Sequence, residues 1–397
     1  MHIMQILGGQ PWPNYLPLLA FAPKHVTFLG SSDPHGKFME NANAIQKAAQ
    51  SLGIKIKLSI VSTKSQQPSI AECKQAIAHL SPDIINLTAG TKPMCLAAYL
   101  HAAKHKIPSF YLDTRRPHDQ AFEFTDSAPW PHSIPSMNTL ANRINVRNAL
   151  MAQGFPVPSS FQAPADDHLR FSVHAAKLRS DPSANSAINQ KLHKARTQFL
   201  TPNHKFIKGS KLRSALKHPL YAEPGTHYHT YLNLAAEHQI VEPLSASEFF
   251  LTTLDPVTAP TRLLRSIADT NFKLLEGIWL ELALYHFLQN KNSFSDICWS
   301  VEAKTSNADS IGETDLVAFN SKTLNLHFIS CKTSSPHGNA LDHIQGLRRR
   351  ANKEGGKFSK AELWIFAPKS EDSKQSLTKH CMEQNVSLHI LSEELTE

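Results

Sequence analysis

The feature that most constrains the fold is a regular alternation of strand-like and helix-like segments over the first 115 residues. HVTFLG (His25–Gly30), IKLSIVST, DIINLTAG and PSFYLDT are short apolar runs typical of strands. Helix-length segments separate them: residues 38–53, IAECKQAIAHL and KPMCLAAYLHAAKHK. Strands that alternate with helices of this length predict a parallel sheet with helices on its faces, a Rossmann-like α/β domain. Such sheets bind ligands beyond the carboxyl ends of their strands.

The bulk properties of the chain set wider limits. A chain of 397 residues is long for one core, so two or three domains are expected. No apolar run is long enough to span a bilayer, and MHIMQILGGQPWPN lacks the features of a secretory signal. Five scattered cysteines without a C-x-x-C pair predict a reducing, cytoplasmic location and no thiolate zinc site. A net charge of +8 is compatible with a phosphate-bearing partner without requiring one.

Residues 116–260 form a middle region that the sequence describes less well. Proline-rich connections alternate there with two helix candidates, LRSALKH and YHTYLNLAAEHQIVEP. These could belong to a small winged-helix-like unit, or the region could be a helical linker. The pattern leaves both interpretations open.

The most informative short motif is NLTAGTKPMCLAAY (Asn86–Tyr99). A strand leads into the TAGTK loop, and Pro93 then falls in the first turn of a helix, where proline fits best. Small hydroxyl-bearing residues at a helix N-terminus can cradle an anion or a ribose, to which Lys92 would add a charge. A tight turn with a threonine cap is the alternative. The spacing of Leu96, Tyr99, Leu100 and Ala103 predicts that this face of the helix packs on the sheet.

The region from 261 to 397 contains acidic and basic residues in unusual surroundings. Glu281 is flanked at helical spacing by apolar residues or glycine, which predicts a place in the buried stripe of its helix. A carboxylate there needs a partner, either a buried arginine or a metal ion. Glu313 and Asp315 are two residues apart on a strand, and Lys332 ends a strand face of Leu324, Leu326, Phe328 and Ser330. A helix acid, a strand acid and a strand lysine form the set that a PD-(D/E)xK nuclease uses.

Taken together, these motifs resemble the CRISPR-associated Rossmann-fold (CARF) sensors fused to PD-(D/E)xK nucleases. NLTAGTKPM is similar to the CARF signature, with Ala89 in place of a glycine, and GGQPWPNYLPLL resembles the first loop of that family. GIWLELALY, ETDLVAF and FISCKT resemble the nuclease motifs, with Ser330 at a position that usually holds an acid. IQGLRRRANKEGGKF resembles the basic helix and Gly-Gly turn that follow.

The resemblance implies an α/β fold with three segments. A CARF-like ligand-sensing domain is expected at 1–115, a helical or winged-helix-like linker at 116–260, and a restriction-endonuclease-like domain at 261–397. It also implies a cytoplasmic type III CRISPR effector whose nuclease is activated by a cyclic oligoadenylate, expected to be cyclic tetra-adenylate, bound at the two-fold axis of a homodimer. The implied ligand contacts are Gln10, Asn14, Ser31, Ser32, Thr88, Gly90, Thr91 and Lys92.

For the nuclease end, the resemblance implies Mg²⁺ or Mn²⁺ held by carboxylates and hydrolysis of DNA, RNA or both. The implied catalytic residues are Glu281, Asp315, Ser330 and Lys332, and the implied metal ligands are Glu281, Asp315 and the carbonyl of Cys331. Glu313 projects to the same side of its strand as Asp315 and could supply to the metal the charge that Ser330 lacks. Arg348, Arg349, Arg350, Lys353 and Lys357 are expected to contact phosphates. A sensor that has lost cleavage and acts by binding nucleic acid or protein is the alternative. An oxidoreductase is disfavoured because the chain has no G-x-G-x-x-G motif.

Overall fold

The computed structural model describes most of the 397-residue chain. The described residues are 1–32, 36–113, 122–129, 142–155, 163–200, 209–251, 261–304, 310–333, 340–356, 359–368 and 370–394. Among them, no helix is long and apolar enough to cross a membrane.

The N-terminal part is a six-stranded sheet with helices between its strands. In chain order the elements are β1 (His2–Ile6), α1 (Trp12–Phe21), β2 (His25–Gly30), α2 (Lys37–Ser51), β3 (Lys57–Ser62), α3 (Ile70–Ile77), β4 (Ile84–Asn86), α4 (Lys92–His105), β5 (Ser109–Leu112), β6 (Phe122–Phe124) and α5 (Val146–Ala152). The strand order is β3-β2-β1-β4-β5-β6, parallel except for the antiparallel edge strand β6. The predicted Rossmann-like domain is therefore confirmed.

Two local predictions about this domain are wrong. The segment interpreted as a first loop contains helix α1, which begins at Trp12 and carries Pro13 in its first turn and Pro17 in its interior. The face of α4 that packs inward consists of Met94, Ala97, Ala98, His101 and Ala102. Alanines allow a helix to approach a sheet closely, so the small residues take the inner face. The larger Leu96, Tyr99 and Leu100 are left 37–44% exposed.

The middle region contains both helices and a small sheet. Its elements are α6 (Asp166–Arg179), α7 (Pro182–Phe199), α8 (Gly209–Leu216), β7 (Leu220–Tyr221), α9 (His227–Glu237), β8 (Glu242–Pro243) and β9 (Glu248–Phe250). The three strands pair antiparallel in the order β7-β9-β8. The two predicted helices therefore exist as α8 and α9, and the region is not a purely helical spacer.

The C-terminal part begins with a long helical segment. It comprises α10 (Thr261–Lys273), a π-helical turn (Leu274–Ile278) and α11 (Trp279–Gln289), followed by β10 (Phe294–Lys304), β11 (Ser310–Asn320), β12 (Asn325–Lys332), α12 (Ala340–Glu354), β13 (Lys360–Ile365), α13 (Glu371–Glu383), β14 (Ser387–Ile390) and α14 (Leu391–Glu394). The strands form one sheet in sequence order, β10-β11-β12-β13-β14. Strands β10, β11 and β12 pair antiparallel. The α/β class predicted for this part is confirmed.

The chain divides into two compact units that are not continuous in sequence. The first consists of Met1–Phe161, Lys291–Ile329 and Gln345–Glu362, and the second of Gln162–Asn290, Ser330–Ile344 and Leu363–Glu397. Within the first unit, the Trp12 indole donates a 3.0 Å hydrogen bond to the Leu324 carbonyl, and its ring packs edge-on against Phe319. Helix α1 is thereby attached to the turn between β11 and β12. The boundaries predicted at 115 and 260 stay predictions.

Candidate functional site

A cavity of about 500 Å³ lies beyond the carboxyl ends of β1, β2, β4 and β5. This is the edge at which parallel α/β sheets bind ligands. Among the predicted contacts, Gln10, Ser31, Thr88, Gly90 and Thr91 line it. The structure thus brings together residues that are up to 81 positions apart in the sequence.

Three other predicted contacts lie beside this cavity rather than on its lining. Asn14 is fully buried in α1, where its amide donates a 2.9 Å hydrogen bond to the Ile6 carbonyl. That bond ties α1 to the end of β1, which gives Asn14 a structural contact. Ser32 is half-buried, and its amide donates to the Ser65 carbonyl at 3.1 Å. Lys92 is exposed in the first turn of α4.

A buried polar network fixes the floor of the cavity. Asn86 donates to the Gln5 side-chain oxygen at 2.7 Å and accepts hydrogen bonds from both the amide and the hydroxyl of Thr88. The Thr88 hydroxyl in turn accepts from the Leu112 amide at 2.7 Å. Since a hydroxyl has one proton and two lone pairs, Thr88 keeps one acceptor position for a ligand. The network holds the ends of β4 and β5 in register.

Glycine is required where two loops of the cavity meet. Gly90 has a φ of +83°, and a Cβ there would lie 2.2 Å from Cγ2 of Ile6. A Cβ at Gly8 would lie 2.8 Å from the Gly90 amide nitrogen. The two loops are therefore in backbone contact, which only glycine permits. Ala89 is outside the set of positive-φ residues, so the departure from the CARF pattern at this position is tolerated.

The N-terminus of α4 opens at the cavity. Thr91 is its N-cap, but the Thr91 side chain makes no capping hydrogen bond. Since Pro93 has no N–H, the Lys92 and Met94 amides are the first-turn donors without a capping side chain, and the helix dipole adds positive potential there.

Sequence reasoning missed the aromatic residues of the cavity. Tyr111 and Phe38 both line it, and the Tyr111 side chain is 43% exposed. Tyr111 belongs to β5, directly before the loop that carries Asp113. Its position near the carboxyl end of a parallel strand is the signal that could have identified it. Exposed aromatic faces are suited to stacking on nucleobases.

Gln10 connects this cavity to the far end of helix α12, within the same compact unit. Gly356 follows α12 with a φ of +77°, and a Cβ there would approach the Gln10 side-chain oxygen to 2.7 Å. The neighbouring Gly355 carbonyl accepts a 3.4 Å hydrogen bond from Gln153. A residue of the cavity lining therefore touches the Gly-Gly turn that the sequence assigned to the nuclease segment.

The predicted strand acids lie in β11 of the first unit. Asp315 is half-buried, whereas Glu313 is exposed and its carboxylate accepts a hydrogen bond from the Ser300 hydroxyl. Arg350 of α12 donates to the Glu313 carbonyl and, at 3.2 Å, to the Thr314 hydroxyl. A Cβ at Gly312 would lie 3.0 Å from Arg350, so glycine at this position makes room for the guanidinium.

The remaining predicted catalytic residues belong to the second unit. Glu281 is half-buried in α11, not in the fully buried stripe predicted for it, because it faces a cavity of about 850 Å³. Ser330 is 7% exposed, and its hydroxyl lies 3.2 Å from Nε2 of His343. The Lys332 ammonium donates a 2.9 Å hydrogen bond to the Cys331 carbonyl, the group predicted to serve a metal. His343 is a neighbour that the sequence did not indicate.

A metal ion needs several donor groups close together. Within the described residues, no group of three or more His, Cys, Asp or Glu side chains is placed to hold one. Mg²⁺ needs fewer protein side chains, since it is commonly bound through one or two carboxylates together with waters and substrate phosphates. Glu281 in the second unit and Asp315 in the first are each carboxylates, the ligand type that Mg²⁺ prefers.

The predicted basic helix divides into inward and outward residues. Arg348 donates to the Ser359 carbonyl at 3.2 Å, and Arg350 is bound to β11 as described above. Partial burial lowers the pKa of Arg348 from its usual value. Only Arg349 and Lys353 are exposed, whereas Lys357 lies outside the described residues. The helix therefore has structural as well as surface arginines.

Several solved structures share this architecture, although the sequence itself matches little. No protein-family model and no curated protein sequence matches the chain. Protein VC1899 from Vibrio cholerae is 15% identical with a TM-score of 0.72, over 99% of this chain and 94% of that chain. Can2 from Sulfobacillus thermosulfidooxidans, solved in complex with cyclic tetra-adenylate, is 17% identical with a TM-score of 0.65, over 99% and 96%.

A third solved structure is a type III CRISPR defence DNA nuclease activated by cyclic oligoadenylate. It is 15% identical with a TM-score of 0.51, over 93% of this chain and 46% of that chain, so this chain spans about half its length. At these identities the likeness establishes the fold: over nearly its whole length the chain has the architecture of VC1899 and Can2. The resemblance drawn from the sequence motifs is confirmed at that level.

Proposed function

We propose that this protein is a nuclease that a cyclic oligoadenylate activates. The observation that carries the proposal is the cavity at the strand ends of the first unit, which combines predicted CARF contacts with an open helix N-terminus and aromatic faces. A similar fold binds cyclic tetra-adenylate in Can2.

Phosphates and adenines of the ring would use different parts of this cavity. The uncapped N-terminus of α4 and the Lys92 ammonium provide donors and positive charge for a phosphate. Tyr111 and Phe38 provide surfaces for adenine stacking. Gln10, Ser31 and Thr91 add polar groups that orient the ring.

The exposed face of α4 supports a homodimer. Leu96, Tyr99 and Leu100 are large apolar residues at helical spacing on α4, whose N-terminus opens at the cavity, and each is at least 37% exposed. A two-fold symmetric ring suits a site shared by two copies across an isologous interface. Leu100→Glu should therefore yield monomers in analytical ultracentrifugation, while Met382→Glu, at a 75% exposed position of α13, should leave the dimer intact.

The nuclease end of the proposal rests on Glu281, Asp315 and Lys332. A bound Mg²⁺ or Mn²⁺ would polarise the scissile phosphodiester and lower the pKa of an attacking water. The motif resemblance assigns Asp315 of the first unit and Glu281 of the second as the carboxylates that would supply negative charge for the cation. The Lys332 ammonium, which donates to the Cys331 carbonyl at the end of β12, would stabilise negative charge on phosphate oxygens.

The experiment that tests the function is incubation of the protein with Mn²⁺, with and without cyclic tetra-adenylate. Single- and double-stranded DNA and RNA of the same sequence serve as substrates. Cleavage of at least one of them only in the presence of the ring is expected. A protein that binds the ring by calorimetry and cuts none of them would favour a second candidate, a sensor without cleavage, which the serine at position 330 makes a specific alternative.

A further inference from the structure

The 850 Å³ cavity that contains Glu281 has one wall from outside the predicted nuclease segment. Helix α7 of the middle region contributes Asn185, Asn189, His193 and Arg196, which recur at a spacing of three or four residues and so share one helix face. Glu281 and Thr333, the residue after Lys332, line the same cavity. All of these residues belong to the second compact unit.

A buried cation lies directly behind this wall. Arg179 is 1% exposed, and its guanidinium donates to the side-chain oxygens of Asn185 at 3.2 Å and Asn189 at 2.8 Å. The faces of Tyr231 and Trp279 lie 4.5 Å and 4.8 Å from it. In the part of the chain that the structure describes, no carboxylate pairs with Arg179, and its Nε is buried without a hydrogen-bond partner.

The buried guanidinium has two consequences for the wall. Arg179 donates to the amide oxygens of both asparagines, and the Asn189 amide nitrogen donates to the Asn185 oxygen at 3.2 Å, so the Asn185 amide nitrogen is left to donate to a ligand. A buried charge without a counter-ion is also unfavourable, so an anion in the adjacent cavity is stabilised. Amide, imidazole and guanidinium donors backed by positive charge suit phosphate oxygens.

The π-helical turn between α10 and α11 forms the opposite side. Its Leu275 carbonyl accepts hydrogen bonds from Arg179 at 3.1 Å and from the Tyr231 hydroxyl at 2.7 Å, which fixes the turn. The turn places Glu276 3.3 Å from Arg196, an ion pair whose two side chains are 35% and 27% exposed. Glu276 thus competes with any phosphate for Arg196.

We infer that the α7 wall binds the sugar-phosphate backbone of a nucleic-acid strand and leads that strand past Glu281. The inference rests on the proposed nuclease function, which it extends to the middle region. Since backbone contacts carry no sequence information, strand binding at this wall is independent of base sequence.

The test compares two double substitutions on the same helix. His193→Ala with Arg196→Ala removes the donors in the cavity, whereas Lys191→Ala with Lys194→Ala removes two exposed charges outside it. Both are made in an Asp315→Ala background, and affinity for labelled single-stranded DNA and RNA is measured by fluorescence anisotropy with Mn²⁺ and cyclic tetra-adenylate. About tenfold weaker binding is expected from the first pair and less than about twofold from the second.

Glu276→Gln provides a variant with the opposite expected sign, because it releases Arg196 for phosphate and should tighten binding. Equal losses of affinity in the lysine pair and the cavity pair would indicate a general electrostatic effect and overturn the inference. Unchanged affinity in the cavity pair, with wild-type protein still cutting nucleic acid, would overturn it while leaving the proposed function intact. Wild-type protein that neither binds nor cuts any nucleic acid would overturn both.

Discussion

The ligand cavity of the first unit and the cavity of the second unit are built in different ways. The first is made mainly of short loops at strand ends, in which backbone amides and glycines contact the space directly. The second is walled by side chains from helices far apart in the sequence, such as Asn189 of α7 and Glu281 of α11. A loop motif is contiguous and therefore visible in a sequence, whereas a helix-lined wall is not.

The difference also predicts how each cavity responds to substitution. A backbone-built site loses function when its loop geometry changes, and single side chains contribute modest increments. A side-chain site at a reaction centre depends on a few groups whose charge is essential. The following predictions test that contrast.

The largest effect is expected at the charged residues proposed for catalysis, which depend on their own side chains rather than on loop geometry. Asp315→Ala and Lys332→Ala should each lower cleavage by about a hundredfold or more, because each removes a charge that the proposed function assigns to the scissile phosphate. Ring binding, measured by calorimetry, should be unchanged. Asp342→Ala and Lys322→Ala, at exposed positions of α12 and the β11–β12 turn, are matched controls that should keep activity. Residual cleavage near the wild-type rate in either test variant would remove that residue from the site.

A smaller loss is expected in the ligand cavity. Lys92→Ala should weaken ring binding about tenfold, the size of one charge-assisted hydrogen bond, without unfolding the protein. Lys104→Ala, in the last turn of the same helix, removes the same charge away from the cavity and should have little effect. Calorimetry with cyclic tetra-adenylate measures the ring affinity of both variants and distinguishes them. Equal affinities for Lys92→Ala and wild type would contradict the assignment of this cavity.

Gln10 belongs to the ligand cavity and also touches the turn after α12, so its substitution can affect both ring binding and cleavage. Gln10→Ala should reduce activation several-fold more than it reduces ring affinity, because α12, whose following turn Gln10 touches, binds β11 through Arg350 two residues before Asp315. The ratio of the cleavage rates with and without ring, at saturating ring, reports activation. Gln46→Ala, whose amide bonds the Ile56 carbonyl away from the cavity, is the control. Loss of affinity alone would show that Gln10 is only a binding residue.

The smallest effect concerns stability rather than function. Glu354 is 1% exposed with both carboxylate oxygens unpartnered, and burial raises its pKa to about 7. As pH rises from about 4.5 to 7, the unfolded chain releases this proton before the folded protein does, so stability falls. The loss is of the order of 3 kcal/mol. Glu354→Gln should therefore melt higher than wild type at pH 8, by more than at pH 5; a pH-independent difference would contradict this assignment.

The sequence predicted the parts of the protein that depend on local pattern. Strand–helix alternation identified the first domain, and the TAGTK loop led to a real cavity because parallel strands deliver their ends to one edge. The sequence pattern was wrong for α4, because apolar spacing predicted that Leu96 and Leu100 face the sheet whereas the alanines pack inward. Spacing alone does not distinguish a face that packs on a sheet from one left exposed.

Other features depended on contacts between distant segments. The role of Arg179 comes from two asparagines on α7 and the rings of Tyr231 and Trp279, none of which is adjacent to it in sequence. Arg350 looked like a surface charge in a basic run, yet it is engaged by the backbone of β11. Whether Ser330 leaves an active site is likewise decided by its surroundings, which include His343.

The most direct test of the central claim is a titration of cleavage rate against cyclic tetra-adenylate at saturating Mn²⁺, compared with ring binding measured on the same protein. We predict almost no cleavage without ring and half-maximal activation at the dissociation constant of the ring. Cleavage that is equally fast without ring would contradict gating by the first cavity. If saturating ring elicits no cleavage while Ser330→Glu restores it, the wild-type site is inactive and the protein is a sensor.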